Sequence, residues 1–161
     1  MPSSQLIAED NQVLLDCLDL ESINTQVSIA SKKKLLEHVS KLLGDDDRAL
    51  EKKVFQSLIE RERLGSTGIG DGVALPHGRC DDIESARLCI VTLDQAIDYD
   101  ATDKKPVNMV FGLIVPAEAQ QQHLDMLSSI AELIGKKDVH KQLLSYKRPE
   151  DVMKFIQQQL R

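Results

Sequence analysis

Nine consecutive residues from Val107 to Val115, VNMVFGLIV, carry no charge, and a second apolar run, LCIVTL, spans Leu88 to Leu93. Both are short, rich in β-branched side chains and bounded by polar or proline-containing segments, a pattern that predicts two interior strands. An interior strand buries both faces, so the rest of the chain has to cover the sheet from two sides.

The covering layers are legible as helical periodicity. In SKKKLLEHVSKLLG, starting at Ser31, Leu35, Val39 and Leu42 share a face, and a glycine follows. A second helix starts among Asp45, Asp46 and Asp47, whose carboxylates suit free N–H groups and the positive end of the dipole, and runs to Leu64 before Gly65. At the helical spacing Leu50, Val54 and Leu58 align, Arg61 falls in the same stripe, and Arg63 points away. After the second apolar run, VPAEAQQQHLDMLSSIAELIG takes up helical spacing, with His123 one turn before Leu127, Ile130 and Ile134. Two more helices are expected near Asp138 to Ser145 and from Pro149 to Leu160, the latter with proline in its favoured first turn. Helices, strands, then helices predict an α/β sandwich: a mixed β-sheet flanked by helices on both sides. With 161 residues, 42% of them hydrophobic, the chain suits one domain over residues 11–161, preceded by a polar, flexible segment over residues 1–10.

Bulk properties exclude several function classes. A formal charge of -6, with no basic run beyond Lys32-Lys33-Lys34, leaves no footprint for nucleic acid. No segment approaches the roughly 18 apolar residues of a membrane span, and the N-terminus lacks the basic and apolar regions of a secretory signal, so a cytoplasmic protein is expected. Three cysteines without a CxxC pair suit free, packed thiols in a reducing compartment. Four histidines show neither HExxH nor paired spacing with the cysteines, so neither a metal centre nor a cofactor is expected.

The remaining signal is GIGDGVALPHGRC, Gly68 to Cys80. It is not a nucleotide loop: GxGxxG would need glycine at Val73, and GxxxxGK[ST] does not occur. Nor is there a GxSxG elbow to support acyl transfer by a hydroxyl or thiol. Val73 to Leu75 suits a strand, and Pro76 cannot donate to a ladder, so the strand is expected to end there and hand His77 to a loop. Imidazole, with an ordinary pKa of about 6.5, keeps a free nitrogen lone pair at neutral pH and can attack phosphorus. The product needs N–H groups, cations or imidazoles around its oxygens, a role for which Arg61 and His123 are placed by periodicity. The plainer alternatives are that His77 is a loop residue, that Arg61 meets the last carbonyls of its helix and that His123 is a hydrogen-bonded core residue. His38 and His140 fall off the apolar stripes and are expected at the solvated surface.

LGSTGIGDGVALPHGR, preceded by RER and followed by VPAEAQQQHLDMLSSIAELI, resembles the mannitol/fructose-type enzyme IIA domain of the bacterial phosphotransferase system, nearest its nitrogen-regulatory branch. The resemblance covers about Leu14 to Leu160. It implies that His77 accepts a phosphoryl group from a phosphorylated HPr-like carrier, with Arg61 and His123 in support and Ser66, Thr67 and Gly78 in the phosphate-binding approach loop. It further implies regulatory target proteins, potassium transport or sensor kinases among them, controlled by the phosphorylation state. A stand-alone sugar-uptake IIA component and an interaction module that no longer transfers phosphate are the alternatives. Asp71 stands where many relatives carry asparagine; pointing inward, its charge would raise the pKa of a histidine or oppose the phosphoryl group.

Overall fold

A computed structural model describes residues 11–160, so the expectation for residues 1–10 lies outside the described part. Six strands, β1 (Leu18–Val27), β2 (Gly68–Gly70), β3 (Val73–Ala74), β4 (His77–Cys80), β5 (Arg87–Ile97) and β6 (Val107–Pro116), form one mixed sheet. Its order is β1-β5-β6-β3-β2, and β4 also pairs with β6. The helices are α1 (Lys32–Leu43), α2 (Arg48–Arg63), α3 (Gln120–Gly135), α4 (Val139–Ser145) and α5 (Pro149–Gln159), and residues 11–16 are helical as well.

The two apolar runs are the central strands β5 and β6, antiparallel neighbours. Alternation along β6 splits the core. Met109, Phe111 and Leu113 face a layer containing Met126, Ile130 and Leu133 of α3, while Val110 and Ile114 face Leu35, Val39 and Leu58 of α1 and α2. This is the two-sided sandwich that the uncharged strands require. Ser31 caps α1 by accepting from the Lys34 N–H at 3.2 Å. Asp47 caps α2 through the N–H groups of Ala49 and Leu50.

β3 falls within the expected Val73–Leu75 strand, whereas β1, β2 and β4 depart from the sequence pattern. β1 is an edge strand parallel to β5 whose register shifts twice, so its polar and apolar residues do not alternate cleanly. β2 and β3 form a short hairpin through Asp71 and Gly72, both at positive φ (55° and 85°), the backbone that a two-residue turn between twisted strands demands. β4 corrects the expectation that the strand stops at Pro76 and hands His77 to a loop. Val73 lies opposite Met109, Ala74 opposite Val110 and His77 opposite Leu113, so the register against β6 is the same on either side of the proline. Pro76 withholds an N–H, but its carbonyl still accepts from Leu113 N–H at 3.0 Å. One missing donor does not break a strand whose partner continues alongside it.

His77 therefore sits within the sheet on a rigid backbone. Alternation turns His77 and Arg79 to the α3 side, with Val73 and Leu75, and turns Gly78 toward α2. A Cβ built on Gly78 would stand 2.2 Å from Ser57 Oγ and 3.3 Å from the Ser57 backbone, so α2 packs on β4 only because residue 78 has no side chain. Gly78→Ala is expected to destabilise the fold by about 1–3 kcal/mol through overpacking. Equilibrium denaturation checks this, and an unchanged midpoint would show that the α2–β4 contact yields freely.

Candidate functional site

The His77 ring is oriented by its own strand. Its Nδ1 lies 2.7 Å from the Leu75 carbonyl oxygen, and since a carbonyl only accepts, Nδ1 carries the proton. The lone pair is then on Nε2. Burial pushes the His77 pKa below its ordinary value; the Leu75 carbonyl opposes that shift, the Arg61 charge adds to it and Glu62 opposes it. The ring is thus neutral near pH 7, with its nucleophilic nitrogen fixed by a backbone hydrogen bond.

His123 stands against it. The two ring centroids are 5.1 Å apart at an interplanar angle of 68°, an edge-to-face pair. His123 belongs to the first turn of α3, where its own N–H donates to the Ala119 carbonyl at 3.0 Å and no side chain caps the helix. Its Nε2 is buried and lacks a hydrogen-bond partner, so the reading of His123 as a hydrogen-bonded core residue fails. Burial, with the charges of His77, Arg79 and Arg61, pushes its pKa down to about 4. An unpartnered buried nitrogen at a helix N-terminus is suited to an anion that arrives from outside.

Arg61 makes the contact of a helix-end arginine and also acts on the two histidines. Its Nη1 donates to the Gly65 carbonyl at 2.9 Å, as a helix-end arginine does, and its charge depresses the pKa of both histidines. Arg79 joins it on the His77 side of β4 and is exposed. The sequence pattern gives Arg79 no supporting role while the strand is taken to end at Pro76. The i, i+2 rule would have put it beside His77 had the strand been continued through Pro76.

Ser66 and Thr67 are occupied in holding the loop. Ser66 Oγ accepts from the Gly68 N–H at 3.1 Å and lies 3.4 Å from the Tyr99 carbonyl, to which it donates. Thr67 is buried, and its hydroxyl meets the Glu62 carboxylate and the Tyr99 phenol. Gly78 is a packing residue, as its contact with Ser57 requires.

Asp71 points outward. Its side chain is 92% exposed, 3.7 Å from Lys105 Nζ, and its charge acts on His140, where it opposes the lowering of the pKa by burial. His38 and His140, expected at the surface, are half-buried instead: each ring Nε2 meets an asparagine Oδ1 on a strand, Asn24 at 2.7 Å and Asn108 at 2.9 Å. Cys17, Cys80 and Cys89 are free, and burial pushes the Cys89 thiol up to about 12. No described helix is long and apolar enough to cross a membrane.

All four histidines have lowered pKa values in the fold, each chiefly through burial. The unfolded chain, with imidazoles near the ordinary value of about 6.5, binds more protons than the folded one below that pH. Stability is therefore expected to be fully present above about pH 6.5 and to decline as the pH falls through the depressed folded values, with His123 the last to protonate at about 4. Denaturant midpoints across that range and ring titration by NMR check the sign; a His123 ring that titrates near 6.5 contradicts its burial.

Residues 16–159 match the family described as the phosphoenolpyruvate-dependent sugar phosphotransferase system, EIIA 2. A nitrogen regulatory protein of Klebsiella oxytoca is 35% identical over 144 residues, covering 89% of each chain. The crystal structure of nitrogen regulatory protein IIA-Ntr from Neisseria meningitidis superposes with a TM-score of 0.84 at 34% identity, over 89% of this chain and 99% of that one. IIA mannitol from Escherichia coli shares the fold, with a TM-score of 0.73 at 17% identity over 86% and 98% of the two chains. The sandwich and a match that spans residues 16–159 agree that this chain belongs to the EIIA 2 family of the phosphotransferase system.

Proposed function

We propose that this chain is a nitrogen-regulatory EIIA component that accepts a phosphoryl group on His77 Nε2 from a phosphorylated HPr-like carrier in the cytoplasm, and controls target proteins through its phosphorylation state. The observation that carries the reading is the hydrogen bond of 2.7 Å from His77 Nδ1 to the Leu75 carbonyl, which leaves Nε2 unprotonated beside His123. The names of the relatives at 34–35% identity favour the regulatory branch over a sugar-uptake component. Family resemblance points to potassium transport or sensor kinases as targets.

In the transfer step the Nε2 lone pair attacks phosphorus and forms a P–N bond. The bond from phosphorus to the donor breaks, and its electron pair leaves with the donor. The ring gains positive charge, shared with the Leu75 carbonyl through the retained Nδ1–H. Negative charge on the phosphoryl oxygens falls within the field of Arg61 and Arg79, next to the His123 Nε2 that lacks a partner. Because the histidines are neutral, the site carries no proton on the attacking nitrogen at neutral pH. A module that had lost phosphotransfer would have no need of this arrangement.

Phosphoenolpyruvate with the upstream phosphotransfer proteins is expected to add one acid-labile, base-stable phosphoryl group, read by mass and by ³¹P NMR. His77→Ala is expected to abolish it, and undiminished labelling of that variant ends the assignment. Arg61→Ala is expected to slow transfer on the order of 100-fold, beyond its effect on stability, because a cation is missing where charge develops. Transfer at the parental rate would leave Arg61 as a helix-end residue only. A pull-down with wild-type, His77→Ala and His77→Asp baits is expected to separate partners by phosphorylation state; identical partner sets for all three contradict regulation through His77.

A further inference from the structure

Glu62, the neighbour of Arg61 at the end of α2, has a side chain only 6% exposed. Its carboxylate accepts from groups on three separate parts of the chain. Lys32 Nζ, from the first turn of α1, stands 2.9 Å away; the Tyr99 phenol, just after β5, donates at 3.1 Å; and Thr67 donates both its N–H, at 3.1 Å, and its hydroxyl. The Lys32 ammonium also lies 4.8 Å from the centre of the Tyr99 ring. Burial, first, and the Glu62 charge raise the Tyr99 pKa, which keeps the phenol protonated as a donor.

A second set of hydrogen bonds begins where this one ends. The Thr67 carbonyl accepts from the Leu75 N–H at 2.9 Å, and the Leu75 carbonyl accepts from His77 Nδ1 at 2.7 Å. Carboxylate, Thr67, Leu75 and imidazole thus form one connected path. Leu75 is the last residue before Pro76, the position at which β6 loses a donor, so Thr67 supplies an anchor next to the weak point of the strand. Arg61 meanwhile bonds to Gly65 in the same connection. Consecutive residues of α2 therefore hold the two ends of the Gly65–Thr67 segment, one by a guanidinium and the other by a carboxylate.

We infer that Glu62 is a positioning residue of the phosphoryl-accepting site: through Thr67 and Leu75 it sets the tautomer and plane of the His77 ring, and through the shared segment it sets the reach of Arg61. This rests on the reading of His77 as the phosphoryl acceptor. A buried carboxylate with four donors holds its loop more tightly than an amide in the same place, because hydrogen bonds to a charged acceptor are about twice as strong as neutral ones. Misplacing the nucleophile by about an ångström costs on the order of 100-fold in rate, so this orientation matters even though Glu62 touches no reacting atom.

The test uses the full chain with ¹⁵N-labelled histidine. In Glu62→Gln the His77 ring is expected to shift from the Nδ1–H toward the Nε2–H tautomer. Its titration midpoint is expected to move down, since the charges acting on it are Arg61, which lowers it, and Glu62, which raises it, with the His123 ring facing it, and the one anion is lost. Phosphoryl transfer from the phosphoenolpyruvate-charged carrier is expected to slow by about 10- to 100-fold. Should Glu62→Gln fail to fold, Tyr99→Phe removes a single donor from the carboxylate while keeping the ring over Lys32, and a smaller shift in the same direction is expected. Parental tautomer and midpoint in a folded variant overturn the inference, and so does slower transfer with an unchanged ring. A wild-type chain that is never labelled on His77 overturns the functional reading instead, and the ring measurements then still decide for or against Glu62.

Discussion

The hydrogen bond from Leu113 N–H to the Pro76 carbonyl keeps β3 and β4 in one line against β6. Proline at that position removes a donor, and without the acceptor half of the ladder the chain would turn away after Leu75. Because the line continues, His77 inherits the geometry of a sheet buried on both faces. Its side chain emerges on the α3 side, Arg79 follows on the same side, and Gly78 between them admits α2 on the other. The directions of His77, Gly78 and Arg79 follow from that alternation, while Arg61 and His123 come from the helices on either side.

A second dependence is electrostatic. Three cationic or potentially cationic neighbours, Arg61, Arg79 and the paired histidine, surround imidazoles that burial already keeps neutral. The cluster has positive potential while the His77 ring stays neutral, with its proton on Nδ1 and none on Nε2. That combination suits a nucleophile which must be unprotonated while it attracts a dianion. Glu62 lies at the edge of the cluster, where its charge is absorbed by Lys32 and by hydrogen bonds. It can therefore hold the loop without repelling phosphate as a bare carboxylate facing the site would.

Much of this was legible in the residues. The apolar runs identified β5 and β6, the 3.6-residue spacing identified α1 to α5, and the same spacing brought Arg61 and His123 to inward faces. β1 was not legible, because an edge strand with two register shifts has no constant period. β4 was not legible, because whether a strand survives a proline depends on the partner that continues alongside it. Ser66 and Thr67 stand out through the family resemblance, but whether a hydroxyl faces a ligand or its own loop is decided by neighbours such as Glu62 and Tyr99, which are distant or unremarkable in sequence. Asp71 could be assigned to a turn from its glycine neighbours, whereas its direction came only from the fold.

By itself, the sequence determined the layered α/β class, the two central strands, the helical stripes and the imidazole chemistry available at His77. These are local properties, since period, branching and the lone pair of an imidazole do not depend on what lies across the sheet. The tertiary structure decided which nitrogen of His77 is free, that His123 Nε2 waits without a partner, that Asp71 faces away, and that Thr67 answers to Glu62. Each of those is a relation between residues far apart in the chain, and only packing brings such residues within hydrogen-bonding distance.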